Sequence, residues 1–84
     1  MSALPRPEAN GLRYTAHARE RMAERRLSER IVNHVVAWGD ESIQDEEGQV
    51  RRYELKMFSA DVYYSIFVIV DDLRVVTAYV RIHH

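Results

Sequence analysis

An α+β domain, in which two short helices precede an antiparallel sheet of three to four strands, is what the sequence predicts. Three observations carry this expectation. Apolar residues recur at helical spacing as far as Val36, and after Asp40 the period changes to two. The strand-like segments are joined by short turn signals with no helix between them, which favours antiparallel pairing. Finally, 84 residues fit one domain, expected over residues 12–82 behind a flexible N-terminal arm, residues 1–11.

The arm is polar, with Pro5, Pro7 and an Asn10-Gly11 turn signal. Thr15 is an N-cap for a helix running to about Arg26, built from Ala, Arg, Glu and Met without a Gly or Pro. Its apolar stripe is thin, chiefly Ala18 and Met22, so one side must be solvated or functional. Leu27-Ser28 breaks the run. Ser28 caps a second helix carrying Ile31, Val32, Val35 and Val36, with Trp38 a further candidate, and Gly39 falls where a left-handed C-cap would stand.

A short strand around Ser42 to Gln44 leads into the acidic turn Asp45-Glu46-Glu47-Gly48. The next strand sets Arg51, Tyr53, Leu55 and Met57 on one face and Arg52, Glu54 and Lys56 on the other. After a turn at Ser59-Ala60-Asp61, Val62 to Val70 is mostly apolar on both faces, as a central strand would be. Asp71-Asp72 turns the chain into a last strand, Arg74 to Ile82, rich in β-branched residues. On that strand Val76, Ala78, Val80 and Ile82 read as core. No internal repeat, low-complexity segment or linker interrupts the pattern.

Composition narrows the function classes. There is no cysteine, which excludes disulfides and thiolate chemistry. The N-terminal residues hold no apolar run of signal-peptide length. The longest apolar stretch, Ile66 to Val70, falls far short of the roughly 20 residues of a membrane span. A soluble cytoplasmic protein without a membrane partner is therefore expected. The net charge of −1 argues against indiscriminate nucleic-acid binding, yet it is unevenly spread. Residues 1–40 hold seven Arg against five Asp or Glu, and residues 41–84 five Lys or Arg against eight. Screening over about 8 Å makes a local basic face matter more than the total, so an anionic ligand is permitted.

The candidate chemistry lies on the first helix. His17, Arg21 and Arg25 are spaced four apart and project from one side, beside the core-facing Ala18 and Met22. Arg19 and Arg26 add charge elsewhere. His17 falls in the first turn, where free N–H groups and the helix dipole favour an anion. Guanidinium forks bind phosphate oxygens, and an imidazole moves protons near neutral pH. Against this stand Glu20, Glu24 and Glu29, which pair with the same cations at ordinary surface spacing, and spacing alone weighs toward that structural reading. Thr77, Tyr79 and Arg81 alternate onto one face of the last strand and offer a second wall for an anionic site, which Tyr53 or Arg51 would join; equally, Thr and Tyr are simply good strand residues. His34 is expected in solvent. His83 and His84 end the chain, are open to reading either as native residues or as an affinity-tag remnant, and receive no role from the sequence. The run Asp45, Glu46, Glu47 reads as a solvated turn, and no set of side chains has metal-ligand spacing.

The stretch Tyr14-Thr15-x-His17-Ala18-x-x-Arg21-Met22-x-x-Arg25-x-Leu27-Ser28 resembles the opening motif of the bacterial "domain of unknown function" family 4258, and Val76-Thr77-Ala78-Tyr79 its closing motif. That family is similar to the RelE-like and barnase-like class of metal-independent ribonucleases and toxins. The resemblance implies two N-terminal helices packed on a twisted antiparallel sheet. It also implies first-helix site residues at His17, Arg21 and Arg25, with Thr77 and Tyr79 joining them. The leading expectation is RNA cleavage by 2′-hydroxyl attack, without metal or organic cofactor. His17 would act as base or acid, Arg21 and Arg25 as charge stabilisers and Tyr79 as a second polar group, with Arg19, Thr77 and Arg81 binding substrate. RNA and an antitoxin-like protein are the implied partners, although the acidic balance departs from that of a ribosome-docked toxin. The alternatives are a non-enzymatic protein- or nucleic-acid-binding module using the same basic face, and a structural domain whose arginines only solvate a helix.

Overall fold

The computed structural model describes Pro7 and residues 11–83; most of the expected N-terminal arm, and His84, lie outside the described residues. The elements follow as β1 (Arg13–Tyr14), α1 (Ala16–Glu24), α2 (Glu29–Trp38), β2 (Asp40–Ile43), β3 (Val50–Ser59), β4 (Val62–Asp71) and β5 (Arg74–His83). The architecture is α+β, with two helices on one face of a five-stranded mixed sheet of order β1-β5-β4-β3-β2. The expected three to four antiparallel strands are all present as β2 to β5. The fifth, β1, pairs parallel to β5 at Arg13↔Arg74 and Tyr14↔Val75, and two residues are too few to show any period.

Local chemistry sets the helix ends. The Thr15 hydroxyl accepts from the Ala18 N–H at 3.0 Å, and the Ser28 hydroxyl from the Ile31 N–H at 3.2 Å, each satisfying one otherwise unpaired donor. Helix α1 stops at Glu24, short of the expected Arg26, because Arg26 turns left-handed at φ 56° and the Leu27 N–H closes onto the Met22 carbonyl. Gly39 corrects a second expectation. Its backbone is extended, φ −75° and ψ 167°, and not left-handed. A Cβ there would meet the Val35 carbonyl oxygen at 2.5 Å and that of Glu54 at 2.8 Å, so glycine is required by close approach of helix end and strand.

Helix α1 lies over β5, and α2 over β3 and β4. Ala18, Met22, Val32, Val35 and Val36 from the helices bury Tyr53, Ile66, Val68, Val70, Val75 and Ala78 of the sheet. On β5 the inward set differs from that expected. Val70 pairs with Val75 while Ile69 pairs with Thr77, so Val76 bulges out of the ladder and Val75 joins Ala78 on the core face. Val80 and Ile82 keep the expected face but are 39% and 55% exposed. Helices of nine and ten residues span roughly 15 Å and strands of ten residues roughly 33 Å, so half of the sheet runs out beyond its cover. Among the described residues, no helix is long and apolar enough to cross a membrane.

Candidate functional site

The α1 cations are held by carboxylates. Arg21 donates to Glu24 Oε2 at 2.6 Å, and Arg25 Nη1 lies 3.8 Å from the same oxygen. That hydrogen bond pushes the Arg21 pKa further up from its ordinary value. Arg19 donates to Glu29 Oε2 at 2.7 Å, and its guanidinium lies over the ring of Tyr14, whose hydroxyl donates to Asn33. His17 is exposed, as is Arg26. The helix thus presents an imidazole and guanidinium groups whose charge is largely met by Glu24 and Glu29.

Thr77, Tyr79 and Arg81 lie on the other side of the sheet. Ala78 packs beneath the helices, and the pleat turns its neighbours to the opposite, open face. His17 and Tyr79 therefore do not share a cleft. Arg51 and Tyr53 are also separated from Tyr79. Buried on the helix side, they converge on Glu41 Oε2, the Arg51 guanidinium at 3.2 Å and the Tyr53 hydroxyl at 2.7 Å. Burial, followed by the hydrogen bond to Glu41, pushes the Tyr53 pKa up to about 12. This cluster anchors β2 to β3.

What the open face does bring together is a lattice of cross-strand rows. Ser42, Arg52, Ile69 and Thr77 form one; Asp40, Glu54, Phe67 and Tyr79 the next; then Lys56, Ser65 and Arg81; then Phe58, Tyr63 and His83. Phe67 and Tyr79 stack with centroids 4.8 Å apart at 13°, and the Arg52 guanidinium lies 5.2 Å from the Phe67 centroid. Phe58 and Tyr63 form a second aromatic pair at 4.4 Å. Beside it, a cleft of about 320 Å³ is lined by Lys56, Met57, Tyr63, Tyr64 and His83.

At the centre of this lattice Ser65, fully buried, bridges two groups that can move protons. Its Oγ lies 2.6 Å from Glu54 Oε2 and 2.7 Å from His83 Nε2. An ionised carboxylate only accepts, so the single Ser65 hydrogen goes to Glu54, and the remaining partner must donate. His83 Nε2 therefore carries a hydrogen in this arrangement, an assignment made from the hydrogen-bond network. The chain runs in one direction, His83 N–H to Ser65 O–H to Glu54 carboxylate. A proton donor and a proton acceptor stand two hydrogen bonds apart, with the Lys56 ammonium and Arg81 guanidinium in the Ser65 row.

Glu54, Ser65 and His83 form a hydrogen-bonded cluster that sequence reasoning does not single out. Alternation had placed Arg52, Glu54 and Lys56 on one face, which was half of the signal. Ser65 lies in a strand apolar on both faces, and His83 stands beside the chain end, where the sequence pattern gives it no partner. Among the described residues, no group of three or more His, Asp or Glu side chains is placed to hold a metal ion.

A family model described as Domain of unknown function (DUF4258) matches residues 14–80, most of the chain. No curated protein and no solved structure matches.

Proposed function

The chain belongs to the DUF4258 family, and from that premise we propose that it is a toxin-type ribonuclease of the RelE-like and barnase-like class. It cleaves RNA without a metal by 2′-hydroxyl attack on the adjacent phosphate, and the open sheet face is the reaction surface. The observation that carries this reading is the directed chain from His83 through Ser65 to Glu54. Glu54 removes the 2′-hydroxyl proton, the freed oxygen attacks phosphorus, and His83 protonates the departing 5′-oxygen. The products are a 2′,3′-cyclic phosphate and a new 5′-hydroxyl. Acid–base groups of this kind contribute about 10²–10⁴-fold each. Lys56 and Arg81 meet the charge that builds on the phosphate oxygens. Tyr79, stacked on the buried Phe67 and itself half-buried, is the aromatic ring with which a base would make contact. The reading goes with a cytoplasmic location, where such a nuclease would meet its RNA. A nuclease of this type requires a neutralising, antitoxin-like protein, for which the uncovered apolar surface of Ile31, Met57, Val80 and Ile82 is the fitting dock.

The test is incubation of the purified protein with RNA in EDTA, following release of 2′,3′-cyclic ends. Glu54→Gln and His83→Ala are each expected to slow turnover by about 100-fold or more. If both variants keep full activity while His17→Ala loses it, the chemistry belongs to α1 and the sheet assignment fails. If the wild-type protein leaves RNA intact yet binds it, the chain is a binding module without chemistry.

A further inference from the structure

We infer that Arg52 is a second phosphate site, holding the phosphate next to the scissile one, so that the substrate is an extended single strand and not a lone dinucleotide. This rests on the reading of the open face as a nuclease surface. Arg52 stands on β3 in the row of Ile69 and Thr77, and its guanidinium carbon lies over the neutral Phe67 ring, 5.2 Å from the centroid. Its Nε is buried and has no hydrogen-bond partner. Arg52 takes part in none of the ion pairs among the described residues. The contrast with its neighbour is informative. Arg51, on the other face, gives its Nε to the Gly48 carbonyl and its Nη1 to Glu41. One arginine is spent on the fold, and the other keeps a buried donor without an acceptor.

Buried N–H groups are paired in the great majority of native structures, and Arg52 departs from this: its Nε is held against the sheet without an acceptor, which leaves the outer Nη edge to meet an incoming anion. The acceptor that suits a stacked planar fork is a phosphate oxygen, because stacking fixes the plane of the N–H groups while leaving their charge unmet. Thr77 adds a hydroxyl in the same row.

The spacing gives the class of ligand. Phe67, under the guanidinium, is two residues along β4 from Ser65, or about 7 Å. That is comparable to the step between neighbouring phosphates of an extended polynucleotide strand. A strand lying along β4 would thus set one phosphate among Ser65, Lys56 and Arg81 and the next on Arg52.

The experiment compares binding of uncleavable 2′-O-methyl oligonucleotides with unphosphorylated ends to the full chain, by fluorescence anisotropy. A dinucleotide has one phosphate and a tetranucleotide three. The wild-type protein is expected to bind the tetranucleotide at least about tenfold more tightly than the dinucleotide, the worth of a charge-assisted contact. Arg52→Gln should abolish that gain and leave dinucleotide binding unchanged. Thr77→Val should remove part of it, and serves as the second variant if Arg52→Gln does not fold by circular dichroism. Equal weakening of both ligands in Arg52→Gln, or no gain with length in the wild type, would overturn the assignment. Failure of RNA cleavage with the length dependence intact would remove the nuclease reading and leave the phosphate site standing.

Discussion

Tyr53 and Ser65 are both fully buried polar residues on adjacent strands, yet they do different work. Tyr53 donates to Glu41 on the helix side, where the carboxylate also holds Arg51, and nothing there opens to a ligand. Its raised pKa is a statement about stability. With the folded value at about 12 against an ordinary 10, the folded state keeps this proton more tightly than the unfolded chain does. The stabilisation is complete below pH 10 and is lost as pH rises toward 12. Tyr53→Phe should therefore lower stability near neutral pH by about 1–2 kcal/mol, the worth of a buried hydrogen bond. It should also flatten the fall in melting temperature between pH 10 and 12. An unchanged alkaline fall in the variant would show that another group carries it. Ser65 instead links Glu54 to His83 across three strands on the other side of the sheet, so Ser65→Ala is expected to leave the fold largely intact while changing the pH profile of RNA cleavage. A bell-shaped profile with both limbs unmoved in Ser65→Ala would refute the coupling of His83 to Glu54.

The turns and caps were largely legible because each depends on one or two neighbouring residues. Thr15 and Ser28 cap the helices as expected, and Thr15→Ala should cost about 1 kcal/mol. In a chain of 84 residues that lowers the melting temperature by roughly 4–8 °C. Gly39 was rightly seen as the end of α2, but its reason lay beyond sequence. Carbonyls of Val35 and Glu54, one before it and one in β3, crowd the space of a Cβ. Gly39→Ala is predicted to destabilise by about 1–3 kcal/mol or more through overpacking, more than Thr15→Ala despite the gain in chain rigidity. Melting curves of the two variants settle the order, and a neutral Gly39→Ala would mean that helix and strand separate freely. The strands were legible from alternation, whereas the Val76 bulge was not. One extra residue changes which side chains face inward, and only the partner strand records it.

For the molecule as a whole, the decisive fact is that the sheet separates a packed side from an open one. The first-helix motif was easy to read because it is contiguous, and it named cations that the fold then sets against Glu24 and Glu29. The open-face groups come from three strands far apart in sequence, so only pairing register brings Glu54, Ser65 and His83 together. The same separation limits how strongly an anionic strand can be held. Net charge is −1, so there is little long-range attraction, and the open face offers Arg52, Lys56 and Arg81 as its fixed cations. Each phosphate neutralised on a single strand contributes a slope of about −0.7 to log K against log salt, so the two phosphates held by these cations give a slope of about −1.4. Arg52→Gln should reduce it by about 0.7, while Arg21→Gln and Arg25→Gln on α1 should leave it unchanged. A slope much steeper than about −1.4, reduced by the α1 substitutions, would show that the helix face carries the strand and that Glu24 yields its arginines to phosphate. Titrations of a short oligonucleotide at several salt concentrations distinguish the two, because the two sets of cations lie on opposite sides of the sheet and cannot serve one extended strand together.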